Sequence, residues 1–301
     1  MKHDFEELIT EAIMSETPVI VVEGRNDIQI YNYLVNQSEK NCWVEAVENI
    51  EGYTEGSGGV IDFITDVQGK LEEREENKKY ILGIVDRDAR YYRGEIPNLE
   101  SLLILEYYSI ESHFVSTNNL RKTICHLTDA HERLLDHRTI SYIESKLHNN
   151  EFDNLYYIAL DALKVACDEQ YIGIVSYGLE AGNIFSKERG KDIIREIFKR
   201  KSQLEAFAEE HEITIGDLRK IAKGKWILYV YTNFLTHLIK ELHIACDNDL
   251  INKCNFCKTK VLNKCLWKTK NNYQIGHVHG VVSSIVDGEF DYICNRIKLL
   301  A

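Results

Sequence analysis

Short apolar runs alternate with amphipathic segments over roughly the first 110 residues. Residues 19–23, 80–88 and 102–111 each carry an apolar run that ends in an acid, and each run predicts a strand. Residues 43–48 alternate between apolar and polar positions and predict a further strand. Helices are predicted over 27–36, capped by Asn26, and over 60–74. Strands that alternate with helices predict an α/β domain whose largely parallel sheet is flanked by helices.

From about residue 112 the pattern becomes mainly helical. Apolar positions at helical spacing predict helices over residues 117–135, 154–169, 191–210 and 226–246. Thr214 and Asp217 form an approximate capping box, and residues 171–179 resemble a short strand. We therefore expect an α/β domain over 1–112 and a mainly helical elaboration over 113–301, which would bind substrate or a partner.

Charge is spread unevenly along the chain. The net charge is −12, and the first 111 residues hold 10 basic against 24 acidic residues. Such a domain can meet a phosphate ester only through bound cations. The first residues lack the basic flank and apolar core of a signal peptide, and no apolar run is long enough to span a membrane. The sequence thus predicts a cytoplasmic protein without membrane contact.

Acids follow three of the predicted strands. Glu23 follows the first, Asp86 and Asp88 follow a later one, and Glu111 ends another. Since the carboxyl ends of parallel strands lie along one edge of a sheet, these carboxylates should meet there, with Asp27 nearby. Clustered carboxylates repel one another, and a divalent cation relieves that repulsion. Oxygen ligands favour Mg²⁺ or Mn²⁺ over zinc.

Each acid also has an ordinary structural interpretation. Asp27 can lie on the exposed first turn of its helix, and Asp88 can be a turn residue after a strand. The metal interpretation is preferred because Glu23 and an Asp-x-Asp pair both follow buried strands. Bound Mg²⁺ would in turn favour phosphoryl-transfer chemistry.

The motifs "VVEGRND" and "IVDRD" together resemble the TOPRIM domain of topoisomerases, primases and OLD-type nucleases. In that family a Glu-Gly follows the first strand and an Asp-x-Asp follows a later one. The further stretch "EYYSIES" is similar to the AriB-like family of TOPRIM effectors from the PARIS anti-phage system. The resemblance covers residues 19–112 and implies a TOPRIM-like fold for them.

This resemblance implies a metal-dependent nuclease. Glu23, Asp86 and Asp88 would be catalytic metal ligands, with Asp27 and Glu111 in secondary positions. OLD-type enzymes also place a lysine near the scissile phosphate. Lys191 is the candidate here, although a solvated lysine on a helix is the preferred interpretation.

The biological role implied by the resemblance is that of a toxic anti-phage effector, released from an ABC-type ATPase partner and cleaving RNA, tRNA in particular. A homodimer is compatible with this role. The alternatives are a DNA endonuclease of the OLD type and a non-catalytic TOPRIM-like module for docking or nucleic-acid binding.

A lysine-rich segment, residues 250–286, contains no acid. Lysines can contact phosphates and interleaved aromatic rings can stack on unpaired bases, so nucleic acid is the preferred ligand. A solvated face or a docking surface for an acidic protein is the alternative. The candidate contacts are Lys258, Lys260, Lys264, Lys268 and Trp267.

The same segment holds Cys254-x-x-Cys257, then Cys265, and then His277-x-His279. Cys-x-x-Cys followed by histidines is compatible with structural zinc. A second pair at standard spacing is missing, however, and reduced thiols are the preferred interpretation.

Overall fold

The computed structural model of the chain describes residues 2–71, 75–186 and 189–301. It divides into two compact units. Unit 1 runs up to Glu106 and also includes Gly288–Ala301, and unit 2 is Tyr107–Asp287. The sequence places the boundary at 112/113 and gives no sign that the last residues pack with the first unit.

Unit 1 contains a four-stranded, all-parallel sheet in the order β2-β1-β3-β4, flanked by helices. In chain order its elements are α1 Phe5–Met14, β1 Val19–Val22, α2 Ile28–Gln37, β2 Trp43–Ala46, α3 Ser57–Lys70, β3 Ile81–Val85, α4 Asp88–Tyr92 and β4 Leu102–Ile104, with 3₁₀ turns at Val47–Asn49 and Glu75–Tyr80. The predicted α/β layer with a parallel sheet is confirmed.

The two central strands are buried on both faces. All four residues of β1 are fully buried, and β-branched side chains suit this position because they pack well on a pleated surface. Gly83 on β3 allows α3 to approach closely. A Cβ built there would lie 2.5 Å from Ile64 Cγ1 and 2.9 Å from Val60 Cγ1. This contact fixes α3 against the centre of the sheet.

Unit 2 is mainly helical. Its helices are α5 Thr117–Leu127, α6 His137–Leu147, α7 Asp153–Cys167, α8 Ala181–Ile184, α9 Arg189–Phe198, α10 Lys201–Glu210, α11 Leu218–Ile221, α12 Gly224–Asp247, α13 Asn255–Lys258 and α14 Ile275–Ser284. Short turns lie between them, at Ile110–Phe114, Glu132–Leu134, His148–Phe152, Ile215–Asp217 and Leu262–Lys264. The 24-residue helix α12 buries an apolar stripe that includes Trp226 and Tyr231.

The chain then returns to unit 1 through a 3₁₀ turn, Gly288–Phe290, and helix α15, Asp291–Lys298. This segment is tied to α2 and the loop after it. The Ser38 hydroxyl donates to the carbonyl of Cys294, and the Lys40 ammonium donates to the carbonyl of Leu300 at 2.7 Å. A segment near the end of the chain therefore completes the first unit.

Four of the predicted elements are wrong. The helix expected over 117–135 ends at Leu127. The strand expected over 102–111 ends at Ile104, and residues 171–179 form no strand although all are described. The helix expected over 191–210 is two helices that meet at residues 199–200. Helix α2 begins after Asp27, so Asn26 is not its cap.

Other details agree with the sequence. Thr214 and Asp217 form the predicted capping box, ahead of a short 3₁₀ turn. Residues 72–74, at the end of the helix expected over 60–74, lie outside the described residues. Among the described residues, the helices are too short or too polar to cross a bilayer.

Candidate functional site

Glu23 and Asp86 meet at the switch point of the sheet. After β1 the chain adds β2 on one side, and it then returns past β1 to form β3 on the other side. Ligands of open parallel sheets bind outside the carboxyl ends of the strands at such a reversal. The backbone N–H of Asp86 donates to Glu23 Oε1 at 2.8 Å, which joins the ends of β1 and β3.

Asp88 does not continue the strand. Strand β3 ends at Val85, and Asp88 begins helix α4 with a φ of 27°. Two residues apart on a continuing strand, Asp86 and Asp88 would point the same way, but the chain leaves the strand before Asp88. A positive φ is uncommon outside glycine and concentrates at functional sites. The Asp88 carboxylate accepts a hydrogen bond from the Arg90 N–H at 2.6 Å, which fixes its orientation.

Three further carboxylates surround the backbone of Gly24. A Cβ built at Gly24 would lie 3.3 Å from Glu55 Oε1 and 3.8 Å from both Asp27 Oδ2 and Glu48 Oε2. The turn after β2 supplies Glu48, and the loop before α3 supplies Glu55. Neither residue is among the ligands predicted from the sequence. The signal for Glu48 was available, since it closes the alternating run 43–48.

Only one of the two carboxylate oxygens of Glu48 has a partner among the described residues. Its Oε1 lies 3.2 Å from Arg25 Nε, whereas its Oε2 is buried and accepts no hydrogen bond from any residue that the structure describes. A buried carboxylate oxygen without a donor is costly, and a cation is one means of compensating it. The edge thus has an unmet requirement for positive charge.

Among the described residues, the acids of this edge form no compact group of three or more ligand atoms. Over the described residues, the only group of three or more possible ligands whose atoms all lie within 4.8 Å of one another is a set of cysteines. Mg²⁺ needs only one or two carboxylates, because waters and substrate phosphates complete its octahedron. The spacing therefore fits Mg²⁺ held through waters better than it fits an all-protein cage.

Burial raises the pKa of Glu23 to about 7, and the negative charges of Asp88 and Asp27 add to this effect. The Asp86 N–H and the Arg90 guanidinium oppose it. Burial likewise raises the pKa of Asp88. At neutral pH, ionising these carboxyl groups costs free energy. A bound cation would remove that cost.

In EDTA, which removes bound metal, the wild type should lose stability as the pH rises. The Glu23→Gln variant should not show this loss. Because the folded pKa of Glu23 is raised, its contribution is fully present below about pH 4.5 and is lost as pH rises through about 7. One pKa unit corresponds to about 1.4 kcal/mol, so the loss is about 3 kcal/mol. Thermal melts of both proteins at several pH values would show the wild type falling relative to the variant. Parallel curves would contradict the burial of this carboxyl.

Glu111 is not at a strand end, which corrects the reason for predicting it as a ligand. It lies in unit 2 on the 3₁₀ turn Ile110–Phe114, where the Ser109 hydroxyl donates to its Oε2 at 2.5 Å. A Cβ built at Gly224 would lie 2.9 Å from the same oxygen. The carboxylate thus lies at the N-terminus of α12, where the helix dipole stabilises negative charge.

Lys191 is exposed on α9, in unit 2. Its catalytic role stays a prediction. In unit 1 the sequence analysis missed a different cation beside the acids. Arg90 lies with Nε 4.0 Å from Asp88 Oδ2, and its Nη2 would be 3.5 Å from a Cβ at Gly58 in the first turn of α3.

Trp267 cannot stack on a base as predicted, because its ring is fully buried and its Nε1–H donates to the carbonyl of Asn252 at 3.0 Å. Lys258, Lys260 and Lys264 are exposed as the sequence suggests. Lys268 is half-buried, and its ammonium donates to the carbonyl of Asn263. The lysine surface therefore consists of Lys258, Lys260 and Lys264, and it lacks the expected stacking contact from Trp267.

Four cysteines of unit 2 form a buried cluster that can hold a metal ion. Cys254, Cys257 and Cys265 are joined by Cys246, from the C-terminal end of α12. The sequence analysis missed Cys246, which looked like part of a core helix. His277 and His279 are exposed on α14 and do not belong to the cluster.

Scans of this chain against protein-family models and against curated proteins each found no match.

Proposed function

We propose that the protein is an Mg²⁺- or Mn²⁺-dependent nuclease whose active site is the acidic edge of the unit 1 sheet. The observation that carries the proposal is the meeting of Glu23 and Asp86 at the β1/β3 switch point. Asp88, Asp27 and Glu48 lie on the adjoining turns. The carboxylates of this edge would repel a phosphodiester, so a bound metal ion would be needed to bring the substrate there.

Glu23, Asp86 and Asp88 would hold the metal, with Asp27 nearby. When bound, the ion supplies charge stabilisation for the phosphoryl group and lowers the pKa of a bound water. The unmatched Oε2 of Glu48 fits a requirement for positive charge at this edge. The Asp86 N–H holds the Glu23 carboxylate in place before any ligand arrives.

Two arginines at the edge are suited to the substrate. Arg90 lies beside Asp88, and Arg87 stacks on the ring of Tyr91, with 3.3 Å between the guanidinium carbon and the ring centroid. Guanidinium groups bind phosphate oxygens in a bidentate manner. We assign Arg90 to contact the scissile phosphate, a role that the sequence analysis gave to Lys191.

The biological role rests on the sequence motifs. The resemblance carried by "VVEGRND", "IVDRD" and "EYYSIES" implies an anti-phage effector that acts on RNA, with tRNA as the preferred substrate, after release from an ABC-type ATPase, although the residues themselves do not distinguish tRNA from DNA. A DNA substrate would make it an enzyme of the OLD type. A docking or binding module without catalysis would need no metal.

Sequencing of RNA and DNA ends after induced expression separates these functions. Wild type should generate new tRNA ends that are missing with Glu23→Gln at equal protein level. New DNA ends instead would establish the alternative substrate. Identical ends in both samples would contradict nucleolytic activity at this edge.

The exposed lysines make a separate prediction for binding. If they contact a nucleic-acid backbone, affinity should fall steeply with salt, because each neutralised phosphate releases counterions. Changing Lys258, Lys260, Lys264 and Lys268 to Gln should lower the slope of log K against log salt by about 2 to 3. Fluorescence anisotropy with labelled tRNA would measure it.

Lys122→Gln and Lys240→Gln, exposed lysines of α5 and α12, serve as controls for charge alone. An unchanged slope in the quadruple variant, together with loss of binding to the ATPase, would make the lysine surface a protein-docking surface.

A further inference from the structure

The four cysteines of the cluster come from three separate pieces of chain. Cys246 lies near the end of α12, Cys254 precedes α13, Cys257 lies within it, and Cys265 follows the turn Leu262–Lys264. All four Sγ atoms lie within 4.8 Å of one another, and all four residues are buried.

The sulfur spacing matches a tetrahedral thiolate site. A Zn–S bond of about 2.3 Å gives sulfur atoms about 3.8 Å apart at the corners of a tetrahedron. The Cys254 and Cys265 sulfurs are 3.9 Å apart. A disulfide requires about 2.05 Å, and all four cysteines are free thiols in this structure.

A backbone N–H points at one of the sulfurs. The Cys254 N–H donates to Cys246 Sγ at 3.3 Å. The backbone N–H groups of Leu266 and Trp267 also lie close enough to Cys254 and Cys265 to favour their ionised forms. Hydrogen bonds of this kind orient metal ligands and stabilise their negative charge.

The surrounding chain has little regular structure of its own. The segment between the end of α12 and the start of α14 contains only α13 and one 3₁₀ turn. Segments of this length without secondary structure are uncommon in compact domains. Ile251 and Trp267 are fully buried within it, so the segment has a fixed fold that needs a source of stability.

We propose that Cys246, Cys254, Cys257 and Cys265 bind one structural Zn²⁺ ion that holds residues 246–267 in place. Four ligands without an open position make the site structural rather than catalytic. A tetrathiolate zinc centre carries a charge of about −2, so the absence of acids from residues 250–286 and the presence of Lys253, Lys258 and Lys264 suit it.

Zinc analysis of the full-length protein tests the proposal. The protein should be purified through a tag that does not use immobilised metal and then analysed by mass spectrometry of its metal content. We expect about one zinc per chain in the wild type. The Cys254→Ser and Cys265→Ser variants should lose it, whereas Cys42→Ser and Cys294→Ser, which change cysteines of unit 1, should keep it.

Measurements on the wild type test the proposal even if the cysteine variants fail to fold. Titration with a mercurial should release the zinc as four thiols react, and Co²⁺ exchange should give the visible absorption of a tetrahedral thiolate site. Chelation should lower the melting temperature by more than about 5 °C, because metal binding is coupled to folding.

Three results would overturn the zinc assignment. The first is a folded wild type that contains no metal and whose four thiols all react. The second is a wild type with disulfides among these cysteines. The third is a wild type that binds iron at this site.

Discussion

Glu23→Gln, Asp86→Asn and Asp88→Asn should each lower phosphodiester cleavage by on the order of 10³-fold, since a lost metal removes several kcal/mol of charge stabilisation. Each change replaces a carboxylate with an amide of equal size, so packing at the strand ends is kept. Cleavage of labelled tRNA by purified protein in Mg²⁺ measures the effect. The Asp86 N–H that joins β1 to β3 is a backbone group and remains in all three variants.

Asp62→Asn is the matched control, because Asp62 is an exposed acid on α3 in the same unit. It should cleave at the wild-type rate. Activity within tenfold of wild type in any of the three site variants would remove that residue from the site. Arg90→Lys should retain part of the activity and Arg90→Ala should lose more, if the guanidinium contacts the phosphate.

Expression of the wild type without an ATPase partner should arrest bacterial growth, and Glu23→Gln should not. At a typical turnover of about 10 per second, one enzyme molecule cleaves about 600 substrate molecules in a minute, so even few copies are harmful. Growth curves and viable counts after induction measure the outcome. Asp62→Asn should be as toxic as wild type.

Equal toxicity of wild type and Glu23→Gln would point to a mechanism other than cleavage. Normal growth with folded wild type, at a protein level confirmed by blotting, would contradict the proposal of an effector that the partner restrains.

The centre of the sheet could be predicted because burial on both faces leaves a strong signal. Residues 19–22 and 81–85 are nearly continuous apolar runs, which is typical of central parallel strands. Glu23 and Asp86 follow from the same signal, since an acid directly after such a run marks the carboxyl end of a strand. Their meeting at one edge then follows from parallel topology.

Glu111 and Trp267 show where sequence patterns fail. The apolar run before Glu111 contains only a three-residue strand, and an extended loop that packs on a core has the same composition as a strand. Trp267 lies in a lysine-rich segment without helical or strand periodicity, yet its ring is buried. Burial of a single ring in an irregular segment depends on tertiary contacts that no periodicity reports.

Cys246 and Glu48 were not predicted from the sequence for a different reason. Each is distant in sequence from the group that it joins, and spacing rules describe only ligands that lie close together along the chain. Cys246 is eight residues before Cys254 and is separated from it by the end of α12. For Cys246 only the fold places the side chain beside the others, whereas Glu48 also carries a signal in the sequence, as the acid that ends the alternating run 43–48.

Binding of Mn²⁺, followed by electron paramagnetic resonance, tests the central claim most directly, because it reports the metal without requiring the right substrate. The wild type should bind about one or two Mn²⁺ ions per chain, displaced by Mg²⁺, and should bind more weakly at pH 5 than at pH 8, as protons compete for Glu23. Asp86→Asn should lose this binding and Asp62→Asn should keep it. Equal Mn²⁺ binding by wild type and Asp86→Asn, or none by the wild type, would contradict a metal-dependent active site at this edge.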